Sequence, residues 1–265
     1  MKKIALTSLL AVFAVSGAHA ANVIDGNPLY MPKAGHFYSV TSLESHSENE
    51  TLWTLGEDFG YGISDKLAVE ISTNASEAHE FDNMAWNDID AAFTFRALDK
   101  GAWKLDVVGA YGLGALEIAG NKVGGVWPDH RPFMDKDDTF YAWTAGVRGG
   151  YTTAGWTVAG HAMFSYVNSE SFNWGDEGMH VWTLGLDGQL VIDNNWNLVA
   201  GIEYTGLTDS WAKNAGTWTG EFGVNYNIDT TKFVGAYVNG AMNHATGDWE
   251  TEDGFGFGVK FGIDF

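Results

Sequence analysis

The last eleven residues constrain the fold more than any other stretch of the chain. Residues 255–265 read Phe-Gly-Phe-Gly-Val-Lys-Phe-Gly-Ile-Asp-Phe, so every odd position is apolar and every even position is Gly, Lys or Asp. An alternation with a period of two places the odd side chains on one face of a β-strand and the even side chains on the other. The sequence therefore predicts a final strand with one apolar, aromatic face and one small, polar face.

Eleven earlier segments show alternation of the same kind, although the first is weak and the eleventh carries apolar residues on both faces. A typical segment has about ten residues, which is the length that a tilted strand needs to cross a bilayer. We predict twelve strands, and leave open a count of ten or fourteen. The predicted strands are residues 35–43, 52–63, 67–73, 89–98, 103–113, 141–151, 156–166, 180–192, 196–206, 218–228, 233–242 and 255–265.

The breaks between these segments alternate between short polar turns and longer acidic loops, of which 114–138 is the longest. Trp and Tyr residues collect at both ends of the segments, where a barrel would meet the two bilayer interfaces. A soluble β-sandwich or barrel gives the same alternation, but gives no reason for aromatic residues at the strand ends. The sequence predicts an all-β, transmembrane, antiparallel up-and-down β-barrel with short periplasmic turns and longer extracellular loops.

The final strand resembles the C-terminal signature of Gram-negative outer-membrane β-barrel proteins of the porin-like kind. Phe257, Val259, Phe261 and Ile263 form its apolar face, and Phe265 supplies the terminal aromatic residue. The resemblance implies a place in the bacterial outer membrane, in contact with its lipid and lipopolysaccharide. It also implies that the barrel-assembly machinery recognises these five residues.

The N-terminus has the features of a cleaved secretory signal peptide at residues 1–20. Two lysines precede an apolar core of about a dozen residues, which is shorter than the roughly 20 that a spanning helix needs. Ala18-His19-Ala20 provides the small-residue cleavage pattern. We expect residues 21–34 to form a periplasmic leader or a small plug, and residues 35–265 to form the barrel.

Charge and cysteine content exclude several classes of protein. Two of the 14 basic residues and none of the 34 acidic residues lie in the signal peptide, which leaves a net charge of −22 on the mature chain. Such a chain does not attract nucleic acid, whose phosphates need basic patches. There is no cysteine, so no disulfide stabilises an exported fold, and a closed architecture must do so.

Counting the alternation back from the final strand predicts which charged side chains line the pore. Acids outnumber Lys and Arg by eight to four in this set, so we expect a narrow, weakly cation-preferring lumen. The alternative is a plugged barrel in which the charges pair to tie the strands together, since the strand number alone does not decide how the interior is filled. The predicted pore-lining residues are Asp58, Glu70, Asp88, Asp90, Arg96, Lys104, Asp106, Arg148, His161, Asp187, Glu203, Glu221 and Lys260.

Two features lie outside this simple pattern. Glu57 falls on the lipid-facing side of its strand, where an acid costs energy unless a β-bulge turns it inward. The longest loop contains charged residues that are candidates for a constriction folded toward the pore, although a solvated surface loop has the same composition. The candidate constriction residues are Asp129, His130, Arg131, Asp135 and Lys136.

The most direct function is passive diffusion of small polar or cationic solutes, with no catalytic residue, metal or cofactor. A structural or adhesive barrel that presents acidic surface loops is an alternative. An outer-membrane hydrolase is a weaker one, because His161 and Ser165 share a face but lie about 13 Å apart along the strand. The sequence leaves the solute, the oligomeric state and the openness of the lumen undecided.

Overall fold

The alternating segments form antiparallel strands that close into a ring. The computed structural model describes residues 26–47, 51–77, 85–114, 116–118, 121–123, 140–169, 179–208, 216–244, 249–251 and 256–265. Among them there is no helix long and apolar enough to cross a membrane. The strands are β1 (Phe37–Ser47), β2 (Thr51–Ser64), β3 (Leu67–Glu77), β4 (Ala85–Lys100), β5 (Trp103–Gly114), β6 (Leu116–Ile118), β7 (Asn121–Val123), β8 (Phe140–Thr152), β9 (Trp156–Ser169), β10 (Met179–Val191), β11 (Trp196–Leu207), β12 (Gly216–Asn227), β13 (Lys232–His244), β14 (Trp249–Thr251) and β15 (Gly256–Asp264).

Twelve of these strands are long and form the wall, whereas β6, β7 and β14 have three residues each and lie in two of the connections. Each wall strand pairs with its neighbours in sequence, and β1 pairs with β15 to close the ring. At this seam Phe37 and Phe265 exchange two backbone hydrogen bonds, of 2.7 and 2.9 Å. The predicted twelve-stranded, up-and-down antiparallel barrel is confirmed.

Pairing extends several strands beyond the alternation visible in the sequence. β1 begins two residues later than predicted and continues to Ser47, and β4 begins at Ala85 instead of residue 89. A strand continues wherever its neighbours offer backbone partners, whether or not its side chains alternate. Twelve strands about 4.8 Å apart and tilted by about 40° place opposite backbones about 24 Å from one another.

Most of the large apolar side chains of the wall point outward. Leu186 and Phe222 are each 54% exposed, whereas Asp106 on the inner face is completely buried. An apolar exterior suits a protein surrounded by lipid. Of the predicted assembly-signal residues, Phe257, Val259, Phe261 and Phe265 are exposed on this outer face and Ile263 is partly buried.

The strand whose two faces the sequence could not distinguish, β13, places its aromatic residues inside. Phe233 and Tyr237 are buried, while Val234 and Val238 are exposed on the outer face. The two rings lie against glycines of the adjacent strand β15, and a Cβ atom at Gly258 would overlap the ring of Tyr237. Inner-wall glycines therefore make room for large side chains that lie flat against the wall.

Aromatic rings pack against one another near both ends of the strands. The contacts near one end include Trp103 with Tyr151 at 5.0 Å between ring centroids and Trp196 with Tyr226 at 4.9 Å. Near the other end, Tyr204 lies 4.9 Å from Trp218, again between centroids. Such rings suit the two interfaces of a bilayer, because each combines an apolar body with a polar group.

Five short turns connect the strands at one end of the barrel, which we call the short-turn end, and the C-terminal residue Phe265 lies there as well. They are residues 65–66, 101–102, 153–155, 192–195 and 228–231. In the last of them, Asp229 accepts hydrogen bonds from the backbone N–H of Thr231, at 2.8 Å, and from its hydroxyl. These bonds, led by that of the hydroxyl, lower the pKa of Asp229 to about 2. An aspartate bonded to the backbone two residues ahead is the usual means of tightening such a turn.

Glu57 lies on the outer face, where two hydroxyl groups donate hydrogen bonds to it. Its two carboxylate oxygens accept hydrogen bonds from Ser39 Oγ at 2.5 Å and from Thr41 Oγ1 at 2.6 Å. Both hydroxyls belong to β1, which pairs with β2 so that Thr41 lies directly opposite Glu57. The register between β1 and β2 is regular at this point, so hydrogen bonding, and not a bulge, accommodates the acid.

Removing both hydroxyls tests this explanation. In a Ser39→Ala/Thr41→Val variant the carboxylate of Glu57 loses its donors, and we expect the free energy of unfolding to fall by about 1–3 kcal/mol. Urea unfolding of the refolded protein in lipid vesicles measures the change. Adding Glu57→Leu removes the carboxylate too and should recover the loss. A double variant as stable as the unsubstituted protein would contradict the explanation.

Candidate functional site: the inner wall of the barrel

The residues predicted to line the pore differ in how deeply the structure buries them. Seven are buried inside the barrel, and the other six are partly buried. The buried residues are Glu70, Asp88, Arg96, Asp106, Arg148, His161 and Glu203, and the partly buried residues are Asp58, Asp90, Lys104, Asp187, Glu221 and Lys260.

Three of the buried residues form one ionic group near the short-turn end, which we call the arginine cluster: Arg96, Asp106 and Arg148. Asp106 accepts bonds from Arg96 Nε at 2.7 Å and Nη2 at 3.1 Å. It also accepts bonds from Arg148 Nη2 at 2.8 Å and Nε at 3.2 Å. One carboxylate therefore holds two guanidinium groups, and the cluster keeps a net positive charge.

The strand register brings this cluster together. Asp106 on β5 lies directly opposite Arg96 on β4 and opposite Arg148 on β8. An irregularity in the β4–β5 ladder between Arg96 and Leu98 shifts the register by one residue. Without that shift, Ala97 would lie opposite Asp106, so the bulge brings Arg96 to the carboxylate.

A second group joins β9, β10 and β11, and we call it the histidine cluster: His161, Asp187 and Glu203. His161 Nδ1 lies 3.0 Å from Asp187 Oδ2, and Nε2 lies 2.9 Å from Glu203 Oε2. A carboxylate can only accept hydrogen bonds, so a doubly protonated imidazole satisfies both contacts. The cluster then carries one positive and two negative charges, with Asp187 the most exposed of the three.

A third group lies where β1, β13 and β15 meet. Glu44 accepts a hydrogen bond from Tyr237 Oη at 2.6 Å and another from Asn239 Nδ2 at 2.9 Å. The Lys260 ammonium lies 5.1 Å from the centroid of the Tyr237 ring and 3.6 Å from Glu221 Oε1. Lys260 is thus engaged by one aromatic face and one carboxylate of the wall.

The strands β2, β3 and β4 carry four acids on their inner face: Asp58, Glu70, Asp88 and Asp90. Asn74 donates to Asp88 at 2.7 Å. Asp90 experiences the charges of Asp88 and Asp58, and Glu70 that of Arg148. The inner face of these three strands therefore carries four acids, and the charge of Arg148 acts on one of them, Glu70.

One predicted pore-lining residue has a partner at the rim of the barrel. Lys104 Nζ lies 3.2 Å from Asp99 Oδ2 beside the β4–β5 turn, and the Asp99 side chain is 46% exposed. An ion pair this exposed contributes little to stability. Lys104 consequently belongs to the mouth at the short-turn end, and its charge adds little to the middle of the lumen.

Sequence reasoning missed several interior side chains. Glu44 follows the end of the predicted first strand, and extending that strand by one residue would have placed it inside. Tyr237 was missed because β13 carries apolar residues on both faces, so the sequence did not show which face lies inside. Leu29, which is only 1% exposed, lies in a segment with no alternation, so no periodic signal marked it.

The remaining site predictions have different outcomes. The candidate constriction residues Asp129, His130, Arg131, Asp135 and Lys136 lie outside the described residues, as does the predicted signal peptide. Ser165 Oγ pairs with Thr144 Oγ1 at 2.7 Å, whereas His161 is held by carboxylates, so the two do not form a nucleophile–base pair. In the part of the chain that the structure describes, no group of three or more His, Asp or Glu side chains is arranged to hold a metal ion.

Comparison with known proteins identifies the architecture. No family model and no curated protein matches the sequence. Among solved structures, the NanC porin aligns with a TM-score of 0.60 and 8% identity, over 86% of this chain and 98% of that one. The fold is that of outer-membrane β-barrel proteins.

Two further structures support the same fold. The KdgM porin in complex with disordered oligogalacturonate aligns with a TM-score of 0.54 and 9% identity, over 85% of this chain and 99% of that one. An outer-membrane channel from Pseudomonas putida F1 aligns with a TM-score of 0.53 and 13% identity, over 92% of this chain and 99% of that one.

The arginine cluster predicts a large difference between two aspartates. Asp106→Asn removes the charge that holds two buried guanidinium groups, and we expect the free energy of unfolding to fall by about 3–5 kcal/mol. Asp99→Asn, at the exposed pair with Lys104, is the matched control and should cost at most about 1 kcal/mol. Urea unfolding in lipid vesicles measures both. Similar small losses in the two variants would show that Asp106 does not hold the cluster together.

Proposed function

We propose that the chain is a passive channel of the bacterial outer membrane for small polar or cationic solutes. The closed wall and its apolar outer face supply a lipid-facing shell, and the inner wall supplies polar and charged groups. Two of the similar solved structures are porins and one is an outer-membrane channel, which supports the same function. Export through a signal peptide at residues 1–20 and insertion by the barrel-assembly machinery are parts of this proposal.

The observation that carries the proposal is the excess of acids on the inner wall. In the described part of the chain, Glu44 joins the eight predicted inward-facing carboxylates, and two of the four predicted lysines and arginines are held by one carboxylate in the arginine cluster. Lys104 lies at the rim, Lys260 lies 3.6 Å from Glu221, and His161 lies between Asp187 and Glu203. Carboxylates along a narrow, low-dielectric passage concentrate cations and exclude anions.

The acidic wall of β2–β4 provides the most direct test. We expect the refolded mature protein to conduct in a planar bilayer and to give a cation-selective reversal potential in a salt gradient. Asp58→Asn/Asp90→Asn removes two partly buried acids and should move the reversal potential toward zero. Asp65→Asn, at the exposed β2–β3 turn, is the control and should leave it unchanged. Anion selectivity in the unsubstituted protein would overturn the proposed preference.

A further inference from the structure

The segment that precedes β1 lies inside the barrel. Leu29 is almost completely buried, and Pro28 and Pro32 are buried beside it. The segment folds into a tight turn, in which the Asn27 side chain accepts the Leu29 N–H at 2.9 Å and the Asn27 backbone oxygen accepts the Tyr30 N–H at 2.9 Å. Proline and an asparagine-capped turn fix its shape before it meets the wall.

The segment touches the inner wall on separate sides. At one side Gly26, with a φ of +83°, lies so close to Val199 on β11 and Asn225 on β12 that a Cβ atom would overlap the Val199 side chain. At another side the backbone of the segment contacts the arginine cluster, which is built from β4, β5 and β8. The segment then returns to β1, where the Tyr30 ring packs edge-on against Tyr38 at 5.8 Å between centroids.

The arginine cluster is chemically matched to this main chain. Arg96 Nη2 donates to the Leu29 carbonyl oxygen at 2.7 Å, and Arg148 Nη2 donates to the Tyr30 carbonyl oxygen at 3.4 Å. In each arginine, Nε and Nη2 donate to Asp106, and Nη2 also donates to a neutral carbonyl oxygen of the segment. Tyr30 adds a bond from its hydroxyl to Asp264 Oδ2 at 3.1 Å.

The wall beneath the segment is correspondingly closed. Asn197, Asn225 and Phe233 are at most 1% exposed although they point into the barrel. Farther from the short turns, Asp187 and Glu221 retain side-chain exposures of 31% and 25%. The interior is thus filled beneath the segment, whereas Asp187 and Glu221 keep access to solvent.

We infer that residues 26–34 are an internal plug, seated on the arginine cluster, that sets the narrowest cross-section of the lumen at the short-turn end. This inference rests on the proposed channel function. It adds that solutes meet the acidic wall first and the plug second when they enter from the loop end. It also gives the arginine cluster a second role, as the internal binding site for the chain's own N-terminal segment.

Single-channel conductance, measured with and without the side chains that hold the segment in place, tests the plug. Replacing residues 27–31 with glycine and serine keeps the chain length but removes Leu29, Tyr30 and the turn. We expect the single-channel conductance to rise at least about threefold, because the freed cross-section is a large part of a twelve-stranded lumen. Lys33→Ala/Ala34→Ser changes two exposed residues of the same segment and should leave the conductance unchanged.

The outcomes separate the plug from the channel. Equal conductance in the unsubstituted and replaced proteins would overturn the plug while the channel function stands. Conductance from neither protein would contradict the channel and the plug's role with it.

Thiol labelling tests the position of the segment in variants that keep the backbone carbonyl oxygens bound by the arginine cluster. The chain has no cysteine, so single Leu29→Cys and Ala34→Cys variants each carry one thiol. The refolded Leu29→Cys protein should react with a water-soluble maleimide at least about tenfold more slowly than Ala34→Cys, as expected for a buried thiol. Equal rates would show that the segment does not rest inside the barrel.

Discussion

Pairing between β1 and β15 is the constraint on which the rest of the structure depends. Backbone N–H and C=O groups have no partner in lipid, so strands cross an apolar layer only as a closed barrel. The seam uses the first and last strands of the wall, with Tyr38 opposite Asp264 and Ser45 opposite Phe257. Closure gives the barrel an inner and an outer face. Because side chains alternate along each strand, most aromatic and aliphatic residues then lie on the outer face and most charged residues on the inner face. The polar lumen follows from this sorting.

The charges of the lumen are arranged in groups, not spread evenly. The arginine cluster concentrates the strongest bases at the short-turn end, where a single carboxylate and two carbonyl oxygens satisfy them. The histidine cluster ties His161 to carboxylates of the next two strands, and Lys260 pairs with the single carboxylate of Glu221, two strands away. The inner face of β2–β4 carries four acids: Asp58, Glu70, Asp88 and Asp90. The ion pairs tie parts of the wall together, and these four acids form the side of the lumen that we associate with cation preference.

Much of the wall could be predicted from the sequence, because a period of two is a local property of each segment. The final strand alone fixes the orientation of Lys260, and the same counting placed His161 and Asp106 inside. Contacts between distant parts of the chain could not be predicted in this way. Leu29 meets Arg96 across 67 positions of sequence, and nothing in residues 26–34 alternates. The bulge that brings Arg96 opposite Asp106 is likewise invisible to counting, as are the hydroxyls that hold Glu57 on the outer face.

The reversal potential of the refolded mature protein in a planar bilayer with a salt gradient tests the proposed channel most directly. It is measured for two proteins: the unsubstituted chain, and the chain whose residues 27–31 are replaced with glycine and serine. We expect a cation-selective potential from both proteins and the larger conductance from the second. An anion-selective potential, or no conductance from either protein, would contradict this expectation.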